Sequence, residues 1–338
     1  MFSRLLAFIV SLATLAAAVL AFWPQLIGWQ RVTPWAVLVA DRGGVAAACI
    51  LAVIVLLIIG IIGKPVRRVT AAIIPWLIVF IAATGWLLYD RGLGNPTLGK
   101  AQTGTGQITV MSWNTMGDSP AAEAIATMAE KNGAQVIALE ETSLQTAQNV
   151  ATILRNQGQP MQVFQRQTDD VYIAHSTALL VASALGDYTM REDAGDTSVS
   201  PTIIVTPRSG SGPTVIAAHA VAPNALAMSA WRKDLRWLAS QCVGANVVLL
   251  GDLNATVDNL EGLGPKALGE CADAAMETKN GAVGTWPAWL PEQVGAPIDH
   301  VMFGRGWQVD GFTVVTTLNN IAGDHRPVIA RLSPALAK

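Results

Sequence analysis

Three long apolar runs near the amino terminus constrain the fold of this chain more than any other feature of its sequence. Residues 5–27, 43–62 and 69–88 contain no charged side chain, and each run is close to the ~20 residues that a helix needs to cross a bilayer. In lipid every backbone polar group must be satisfied within the segment, so these runs are restricted to helices, and a bilayer helix tolerates Pro75. The sequence therefore predicts a membrane domain of residues 1–89 with three transmembrane helices.

The orientation of these helices rests on the basic residues that flank them. With the amino terminus inside, four Lys/Arg residues lie on each side of the membrane, so the count alone does not decide the orientation. The cluster of Lys64, Arg67 and Arg68 is the best single cytoplasmic marker, and it predicts that the chain after the third run lies outside. An alternative for the first run is a cleaved signal peptide, because Arg4 precedes an Ala-rich stretch; two runs would still anchor the chain, but the sidedness argument would reverse. We expect a multi-pass protein of the cell membrane whose soluble part is extracytoplasmic.

Charge is distributed unevenly along the chain. Residues 1–99 hold 7 of the 22 Lys/Arg and 2 of the 24 Asp/Glu, so the remainder carries 15 basic and 22 acidic side chains, a net charge of −7. Residues 90–106 are rich in Gly and predict a flexible linker, which leaves residues 107–338 as a soluble domain. Cys242 and Cys271 are the only cysteines of that domain. An extracytoplasmic location permits a disulfide between them, and two separate thiols are the alternative, because pairing depends on geometry.

The soluble domain mixes short strands with a few helices. Alternating or short apolar runs predict strands at residues 108–113, 136–139, 161–165, 178–181, 202–206, 214–218, 247–250, 298–303, 312–317 and 328–332. Helices are predicted from Ser119-Pro120 to Gly133, from a Thr142-x-x-Gln145 capping box toward Asn156, and over residues 224–241. Many strands with few helices favour an α/β fold in which two packed sheets form a β-sandwich and the helices lie outside.

Asp252 and Asn254 follow a strongly apolar strand. They are two residues apart and point to the same side, so they present a carboxylate and an amide together, which suits a hard cation and the phosphate that it polarises. Other predicted strands end in similar residues, namely Asn114, Glu140 and Glu141, His219, Asp299 and His300, and Asp324 and His325. Each alone has an ordinary explanation as a turn residue, a helix start or a satisfied core histidine. Because strand ends of a sandwich gather at a rim, the pattern predicts one shared site.

Six short motifs occur in order along the soluble domain. They are Ser-Trp-Asn (112–114), Leu-Glu-Glu-Thr (139–142), Ala-His-Ala-Val-Ala-Pro (218–223), Gly-Asp-Leu-Asn-Ala-Thr (251–256), Ile-Asp-His (298–300) and Gly-Asp-His-Arg-Pro-Val (323–328). Over residues 107–334 the chain thereby resembles the endonuclease/exonuclease/phosphatase superfamily, which includes pancreatic deoxyribonuclease, apurinic endonucleases, inositol polyphosphate 5-phosphatases and bacterial sphingomyelinases. The resemblance implies a two-sheet α/β/β/α sandwich and metal-dependent hydrolysis of phosphate esters.

The same resemblance implies a role for each polar residue of these motifs. Glu141 is the implied main ligand of a divalent metal, assisted by Asn114 and with Asp324 in the metal environment; Mg²⁺ is the expected ion and Mn²⁺ the alternative. The implied catalytic residues are Asp252 for the attacking water, Asn254 and His219 for phosphate oxygens, His325 for the scissile phosphate, and Asp299 for holding the His325 ring.

Three positions depart from the family pattern or lie outside it. Glu140 stands where Gln is usual, which leaves open which of Glu140 and Glu141 binds the metal. Met116 stands where some nucleases of the group have an acid, which leaves a second metal site open. His175 matches no motif, and we expect it to be structural.

The charge and the tethering of the soluble domain bear on its substrate. A net charge of −7 argues against a nuclease that acts on duplex DNA, because such enzymes use a basic surface to neutralise phosphates. Tethering to a bilayer favours a lipid-linked phosphate. The aromatic segment 285–290 carries Trp286, which we expect on the substrate side together with His300; the alternative for its tryptophans is packing within a loop.

These observations predict a membrane-anchored, Mg²⁺-dependent phosphoesterase that hydrolyses a lipid-linked or small phosphate ester on the extracytoplasmic side. Its expected partners are the lipid bilayer and that ester, with nucleic acid less favoured. One alternative is a tethered extracytoplasmic nuclease acting on DNA or RNA. Another alternative, from a different class, is a non-catalytic membrane scaffold or binding module. The complete set of acids, amides and histidines argues against it.

Overall fold

The structure is a computed structural model that describes residues 2–94, 98–102, 106–168, 172–209, 212–318 and 321–335. Its amino-terminal part, residues 2–91, is named the helical segment below; it contains α1 (Phe2–Phe22), α2 (Trp35–Ala40), α3 (Arg42–Ile59) and α4 (Lys64–Arg91). Helices α1, α3 and α4 are long and apolar enough to cross a membrane, as predicted. They pack side by side, and Trp76 of α4 donates a hydrogen bond to the Ser11 hydroxyl of α1 at 2.8 Å.

The bounds of the long helices differ from the predicted runs. The first helix ends at Phe22 rather than at residue 27, because Pro24 has no backbone N–H to continue the helix and begins the short 3-10 helix Pro24–Ile27. The third long helix begins at Lys64, so the basic cluster lies in its first turns. Pro75 lies inside α4 and does not end it.

Twelve strands form two six-stranded sheets in the described part of the soluble domain, which confirms the predicted sandwich. The strands are β1 (Ile108–Asn114), β2 (Val136–Glu140), β3 (Met161–Gln167), β4 (Ser176–Ala182), β5 (Tyr188–Met190), β6 (Ile203–Pro207), β7 (Thr214–His219), β8 (Val247–Asp252), β9 (Ala272–Asp273), β10 (Asp299–Phe303), β11 (Trp307–Val314) and β12 (Val328–Pro334). One sheet has the order β11-β12-β1-β2-β4-β3 and the other β5-β6-β7-β8-β10-β9. The helices of this domain are α5 (Ala122–Asn132), α6 (Leu144–Asn156), α7 (Met228–Gln241), α8 (Val257–Leu260) and α9 (Ala274–Glu277).

Alternation along the strands divides the core into layers, because successive side chains point to opposite faces of a sheet. Val110 and Leu250 lie between the two sheets, whereas their neighbours Met111 and Leu249 face outward. Met111 belongs to the layer beneath α5 and α6, and Leu249 belongs to the layer beneath α7, where Trp231 is fully buried. The order of layers is therefore α/β/β/α.

Strand pairing brings the ends that carry the motifs to one rim. β1 and β2 are parallel, and so are β7 and β8, so the carboxyl ends of each pair lie together. β10 runs antiparallel to β8 and begins at the same rim, with Asp299 opposite Asp252. β12 runs antiparallel to β1 and begins three residues after His325, with Val328 opposite Ser112. All the motifs therefore meet where the chain enters or leaves the two sheets.

Short elements and helix starts depart from the sequence prediction. The strands β5 and β9 have three and two residues, too few to give a detectable pattern. The predicted strand 312–317 is instead β11, which ends at Val314. The capping residue of α6 is Ser143 and not Thr142, and α7 begins only at Met228, because the Asn224 side chain accepts hydrogen bonds from the turn that precedes the helix.

A disulfide joins Cys242 to Cys271, so the alternative of two separate thiols is wrong. Cys242 is the residue at which α7 ends, and Cys271 directly precedes β9. The bond therefore ties the helix that covers the second sheet to the edge strand of that sheet.

The predicted linker packs against the soluble domain where the structure describes it. Gly92 has a φ of +94°, and a Cβ there would lie 2.0 Å from the carbonyl oxygen of Lys279, so the close approach requires glycine. Gly94 donates its N–H to the same carbonyl at 3.3 Å, and Leu98 packs against the core layer beneath α5 and α6. These residues are docked rather than free. The flexibility predicted for residues 95–97 and 103–105 falls outside the described residues.

Candidate active site

The polar strand ends of both sheets meet in one buried group. Five of the predicted site residues lie there with only 1% to 5% of their surface exposed, namely Asn114, His219, Asp252, Asp299 and His325. The hydrogen bond from Asn114 Nδ2 to Asp252 Oδ2, 3.1 Å long, crosses from the first sheet to the second. The sandwich therefore gathers residues that are far apart in the chain, as the strand-end pattern predicts.

Asp252 is the centre of this group. Its Oδ1 accepts a hydrogen bond from the backbone N–H of Asn254 at 2.8 Å, and its Oδ2 accepts one from Asn114. The Nε2 atoms of His325 and His219 lie 3.7 Å and 3.9 Å from the same Oδ2. Burial raises the pKa of Asp252 to about 7, the nearby His325 opposes that rise, and the carboxylate of Asp299 adds to it.

The backbone around Asp252 has the conformation that this arrangement requires. Gly251 has a φ of +149°, and a Cβ there would lie 1.9 Å from the Ala218 carbonyl oxygen, so glycine allows β8 to approach β7. Asn254 has a φ of +47°, a left-handed conformation that Asn adopts more readily than most residues. Its Nδ2 donates to the Ala220 carbonyl at 2.9 Å and more weakly to Asp252 Oδ2 at 3.3 Å.

His325 and Asp299 form a hydrogen-bonded pair. His325 Nδ1 lies 2.9 Å from Asp299 Oδ2, which leaves Nε2 pointing toward Asp252. Burial lowers the pKa of His325, but the carboxylates of Asp299 and Asp252 outweigh that effect and raise the pKa to about 10. The indole of Trp113 donates to the His325 carbonyl at 3.1 Å and so holds its backbone. The imidazole is therefore fixed in orientation and carries a proton on both nitrogens.

His219 has the opposite character. Burial, reinforced by the charge of His325, lowers its pKa to about 3, so the ring is neutral. Its buried Nδ1 has no hydrogen-bond partner in the described part of the chain. A neutral imidazole with one nitrogen unpaired beside Asp252 is able to hydrogen-bond an incoming ligand.

The two adjacent glutamates occupy different environments. Glu141 has a φ of +54°, is partly exposed, and accepts a hydrogen bond from Asn114 Nδ2 at 3.0 Å. Glu140 is fully buried and accepts from the Ser112 hydroxyl. Burial raises the pKa of both carboxyls, and for Glu140 the charges of Asp299 and Asp252 raise the pKa further, which disfavours its charged form. Glu141 is thus the glutamate that faces the site.

Trp286 borders this group of residues. Its ring centroid lies 6.5 Å from that of His325, and its Nε1 donates to Asp324 Oδ2 at 3.1 Å. Trp289 lies 6.5 Å from Trp286 and is 71% exposed. The two tryptophans form an aromatic wall beside His325, and Asp324 contributes to holding that wall.

The predicted contact of His300 with substrate is wrong. His300 follows Asp299 on β10, so its side chain points to the opposite face of the strand. Its ring is buried, with Nδ1 2.7 Å from Asp273 Oδ2 and Nε2 2.8 Å from the Ala255 carbonyl oxygen. Both nitrogens face acceptors, so the ring is a buried imidazolium that ties β10 to the start of α9.

The His300–Asp273 pair is expected to make stability depend on pH. Burial lowers the pKa of His300, but the hydrogen bond and the charge of Asp273 outweigh it, so the folded-state pKa is raised. The contribution is fully present below the ordinary pKa near 6.5 and is lost as the pH rises through the raised value. Asp273→Asn is expected to destabilise the protein by about 3 kcal/mol below pH 6, because it leaves the buried cation unpaired. Thermal melts between pH 5 and 9 check this, with Asp193→Asn, an 86% exposed carboxylate, as the control.

His175 lies near the site although no motif includes it. The ring is half-buried, and its charge acts on both Glu141 and His219, lowering the pKa of each. It directly precedes β4, which pairs antiparallel with β2 and therefore begins at the rim where β2 ends. The pairing of β4 with β2 is what brings His175 near Glu141, and the sequence alone does not show which strands pair.

The chemistry of the site fits a divalent cation. Glu141 and Asp252 are held together through Asn114, and burial raises the pKa of both carboxyls. Across the described residues, no Lys or Arg side chain pairs with either of them. Asp252, Asp299 and His325 also offer ligand atoms within 4.8 Å of one another, although His325 and Asp299 bond each other. Carboxylates that no Lys or Arg neutralises are the oxygen donors that a hard cation prefers.

Comparison with known proteins agrees with this fold and site. A family model described as "Endonuclease/Exonuclease/phosphatase family" matches residues 111–325. The solved endonuclease/exonuclease/phosphatase from Beutenbergia cavernae DSM 12333 is 18% identical with a TM-score of 0.51, covering 68% of this chain and 72% of that chain. D. rerio TDP2 complexed with single strand DNA product is 14% identical with a TM-score of 0.51, covering 67% and 99%. No curated protein matches the sequence significantly. The matched residues include the whole convergent group, and the chain belongs to the endonuclease/exonuclease/phosphatase family of metal-dependent phosphoric ester hydrolases.

Proposed function

We propose that this protein is a membrane-anchored, Mg²⁺-dependent phosphoesterase that hydrolyses a lipid-linked or small phosphate ester on the extracytoplasmic side. In this proposal residues 1–89 are the membrane domain and residues 107–338 the catalytic domain. The observation that carries the catalytic part is the His325–Asp299 pair aimed at Asp252, with Glu141 joined to the same carboxylate through Asn114.

Each residue of the group has a role that its environment supports. Asp252 orients the attacking water and accepts its proton, a task that suits a carboxyl whose pKa is raised toward neutrality. His325, protonated and held by Asp299, faces the scissile phosphate, offsets its charge and donates a proton to the leaving oxygen. Microscopically, water oxygen bonds to phosphorus, the ester P–O bond breaks, and the leaving oxygen takes the proton from His325.

Phosphate binding falls to neutral donors at the same rim. His219 presents a ring nitrogen without a partner among the described residues. Asn254 has one weak amide hydrogen bond, 3.3 Å to Asp252, which a phosphate oxygen is able to replace. Glu141, Asn114 and Asp324 would hold Mg²⁺, with Mn²⁺ as the alternative ion. When bound, the ion supplies Lewis-acid stabilisation of the charge that develops on the phosphoryl oxygens.

Two features support an extracytoplasmic catalytic domain. The Cys242–Cys271 disulfide is typical of an oxidising compartment. The basic residues Lys64, Arg67 and Arg68 begin α4, whereas Arg91 at its other end contacts the catalytic domain. With 28 residues α4 is about 42 Å long, so the basic cluster and the catalytic domain are a membrane thickness apart. Basic residues favour the cytoplasmic side, which leaves the catalytic domain outside.

A tethered nuclease is the second candidate, and the similarity to a TDP2 structure that contains a single strand DNA product favours it. The net charge of −7 outside the first 99 residues argues for a small or lipid-borne ester instead of a long polyanion. A non-catalytic scaffold has no need of the aligned His325–Asp299 pair.

The test is a phosphate-release screen with the full chain in detergent, with added Mg²⁺, Mn²⁺ or EDTA. Substrates are nucleotides, inositol phosphates, prenyl phosphates, phospholipids and plasmid DNA. We expect turnover of a lipid or small ester that EDTA abolishes and Mg²⁺ restores. Salt-sensitive nicking of plasmid in preference to every other ester would replace the proposal with the nuclease. If no ester is hydrolysed with any divalent ion, the non-catalytic scaffold is the hypothesis that remains.

A further inference from the structure

A buried carboxylate of the catalytic domain is held by residues from three places in the helical segment. Asp258, in α8, is 3% exposed. Arg42 at the start of α3 donates to both of its oxygens, at 2.7 Å and 2.8 Å, and Arg91 at the end of α4 does the same, at 2.6 Å and 2.8 Å. Gln25, after α1, donates at 3.1 Å. We name these four residues the clasp.

Neighbouring residues of the catalytic domain extend this attachment. Asn259 donates from its side chain to the carbonyls of Gln30 and Ala36 at 2.8 Å and 3.1 Å. Arg31 donates to the carbonyls of Asn259 and Glu261, at 2.6 Å and 2.8 Å. The attachment involves side chains from both parts of the chain and includes buried charge, so it is a defined interface rather than a loose contact.

The clasp lies close to the catalytic residues in the chain. Asp258 follows Asn254 by four residues, and Thr256 between them forms a buried capping box with Asn259. The loop that carries Asp252 and Asn254 therefore continues directly into the part held by Arg42 and Arg91. The position of the helical segment and the position of the catalytic rim are coupled through a few residues of backbone.

The end of the helical segment that bears the clasp has the features of a bilayer interface. Exposed aromatic side chains surround it, with exposed fractions of 51% for Trp23, 41% for Trp29, 67% for Trp86 and 74% for Tyr89. Trp and Tyr concentrate at the headgroup level of membranes, where the ring is buried and the polar atom is wet. The clasp therefore sets the catalytic domain at the headgroup level.

The loop of residues 284–297 connects this interface to the active site. At one end a Cβ on Gly43, the second residue of α3, would lie 2.0 Å from the Gln293 carbonyl oxygen, so the two backbones are in contact. At the other end Trp286 lies beside His325. Trp289, largely exposed, is four residues from Gln293 and thus within about 14 Å of this contact residue of α3. Arg326 anchors the loop by donating to the carbonyls of Gly284 and Ala288.

We propose that Asp258 is a positioning residue whose clasp fixes the catalytic rim at the bilayer interface, so that the enzyme acts on amphiphilic phosphate esters whose apolar chain stays in the membrane, with Trp289 against that chain. This inference rests on the proposed phosphoesterase activity and names its substrate class. Two sources share that chemistry, a glycerophospholipid and a prenyl phosphate. The hydrolysis itself is the water attack on phosphorus given above, with the phosphoryl group at headgroup height.

The test compares membrane-borne and soluble esters with the full chain reconstituted in phosphatidylcholine vesicles and Mg²⁺. One arm adds phosphatidylglycerol, a second adds a polyprenyl phosphate, and a third uses the soluble esters p-nitrophenyl phosphate and bis-p-nitrophenyl phosphate. We expect a higher kcat/KM for one vesicle-borne ester than for either soluble ester, and the arm that responds identifies the source. Turnover of soluble esters alone would overturn the inference but keep the proposed function. No turnover in any arm would remove the proposed function itself.

Two variants separate positioning from folding. Trp289→Ser is expected to lower kcat/KM about tenfold on the vesicle-borne ester, chiefly through KM, and to lower it several-fold less on the soluble esters. Val243→Ser is the matched control, because Val243 is an exposed apolar residue (55%) preceding β8 at the opposite end from the rim. Asp258→Asn is expected to lower vesicle turnover about tenfold, with partial recovery in Asp258→Glu. Equal losses on both kinds of ester in Trp289→Ser would contradict the inference.

A distance measurement tests the same inference in case Asp258→Asn does not fold. A fluorophore on Trp289→Cys, in a Cys49→Ser background that removes the free thiol, is expected to be quenched strongly by headgroup-labelled lipid. The same label on Val243→Cys is expected to be quenched several-fold less. Equal quenching at both positions would show that the rim does not lie at the interface and would overturn the inference.

Discussion

Replacing His325 with alanine is expected to lower kcat/KM for any hydrolysed ester by about a thousandfold, since general acid catalysis and charge stabilisation are lost together. The structure gives the reason: the imidazole is held by Asp299 at 2.9 Å and directed toward the carboxylate of Asp252. Asp299→Asn is expected to lose about a hundredfold, because the ring remains but its tautomer and charge are no longer held. Steady-state kinetics over a range of pH values measure both.

The controls distinguish chemistry from folding. Both variants should still melt cooperatively, with Asp299→Asn melting at a lower temperature because it removes the hydrogen-bonded carboxylate of a buried imidazolium. Asp193→Asn, which removes an exposed carboxylate, should keep full activity. The pH profile of Asp299→Asn should also move, since the carboxylate that raises the pKa of His325 is gone. An unchanged pH profile together with full activity in Asp299→Asn would exclude the orienting role.

Replacing Glu141 with glutamine is expected to abolish activity at low Mg²⁺, with a loss of about a thousandfold and a half-saturating Mg²⁺ concentration raised more than about tenfold. Glu141 is the carboxylate that faces the site and is held by Asn114, whereas its neighbour Glu140 is fully buried and has a raised pKa. Titration of activity with Mg²⁺ after EDTA treatment measures the shift.

Glu140→Gln is the matched control for that substitution. It makes the same chemical change one residue away, at a fully buried carboxyl, and the amide has the same shape and keeps an oxygen that accepts from the Ser112 hydroxyl. We expect activity within about threefold of the parent. If Glu140→Gln lost metal dependence and Glu141→Gln did not, the assignment of the two glutamates would be reversed.

Sequence patterns predicted the sandwich and the residues at its rim because those features depend on local periodicity. A strand that ends at Asp252 is visible in four consecutive apolar residues, and ordered motifs indicated which strand ends belong together. His300 adjoins Asp299 in the sequence, which suggests a shared site. Alternation along β10 nevertheless sends the two side chains to opposite faces of the strand. His175 was treated as structural because its nearness to Glu141 arises from strand pairing and not from its own neighbours.

The contacts between the helical segment and the catalytic domain have no local signature at all. Asp258 is separated in sequence from Arg42 by 216 residues and from Arg91 by 167. The residues around Asp258 have only the pattern of an ordinary helix start. The glycines after residue 91 predict a flexible linker, whereas the structure requires glycine at position 92 for close contact with Lys279. Glycine permits both flexible and tightly packed backbone, and only the partner surface distinguishes the two.

Docking of Gly92 against Lys279 changes how such an enzyme meets its substrate. A free tether of residues 90–106 would extend up to about 58 Å. The domain could then bind substrates anywhere in solution within that distance of its anchor. Under the proposed membrane anchoring, a domain docked in this way would meet a membrane-borne ester by lateral diffusion within one leaflet. The relevant concentration is then the number of substrate molecules per unit area, and turnover should saturate with surface density even when the bulk concentration is dilute.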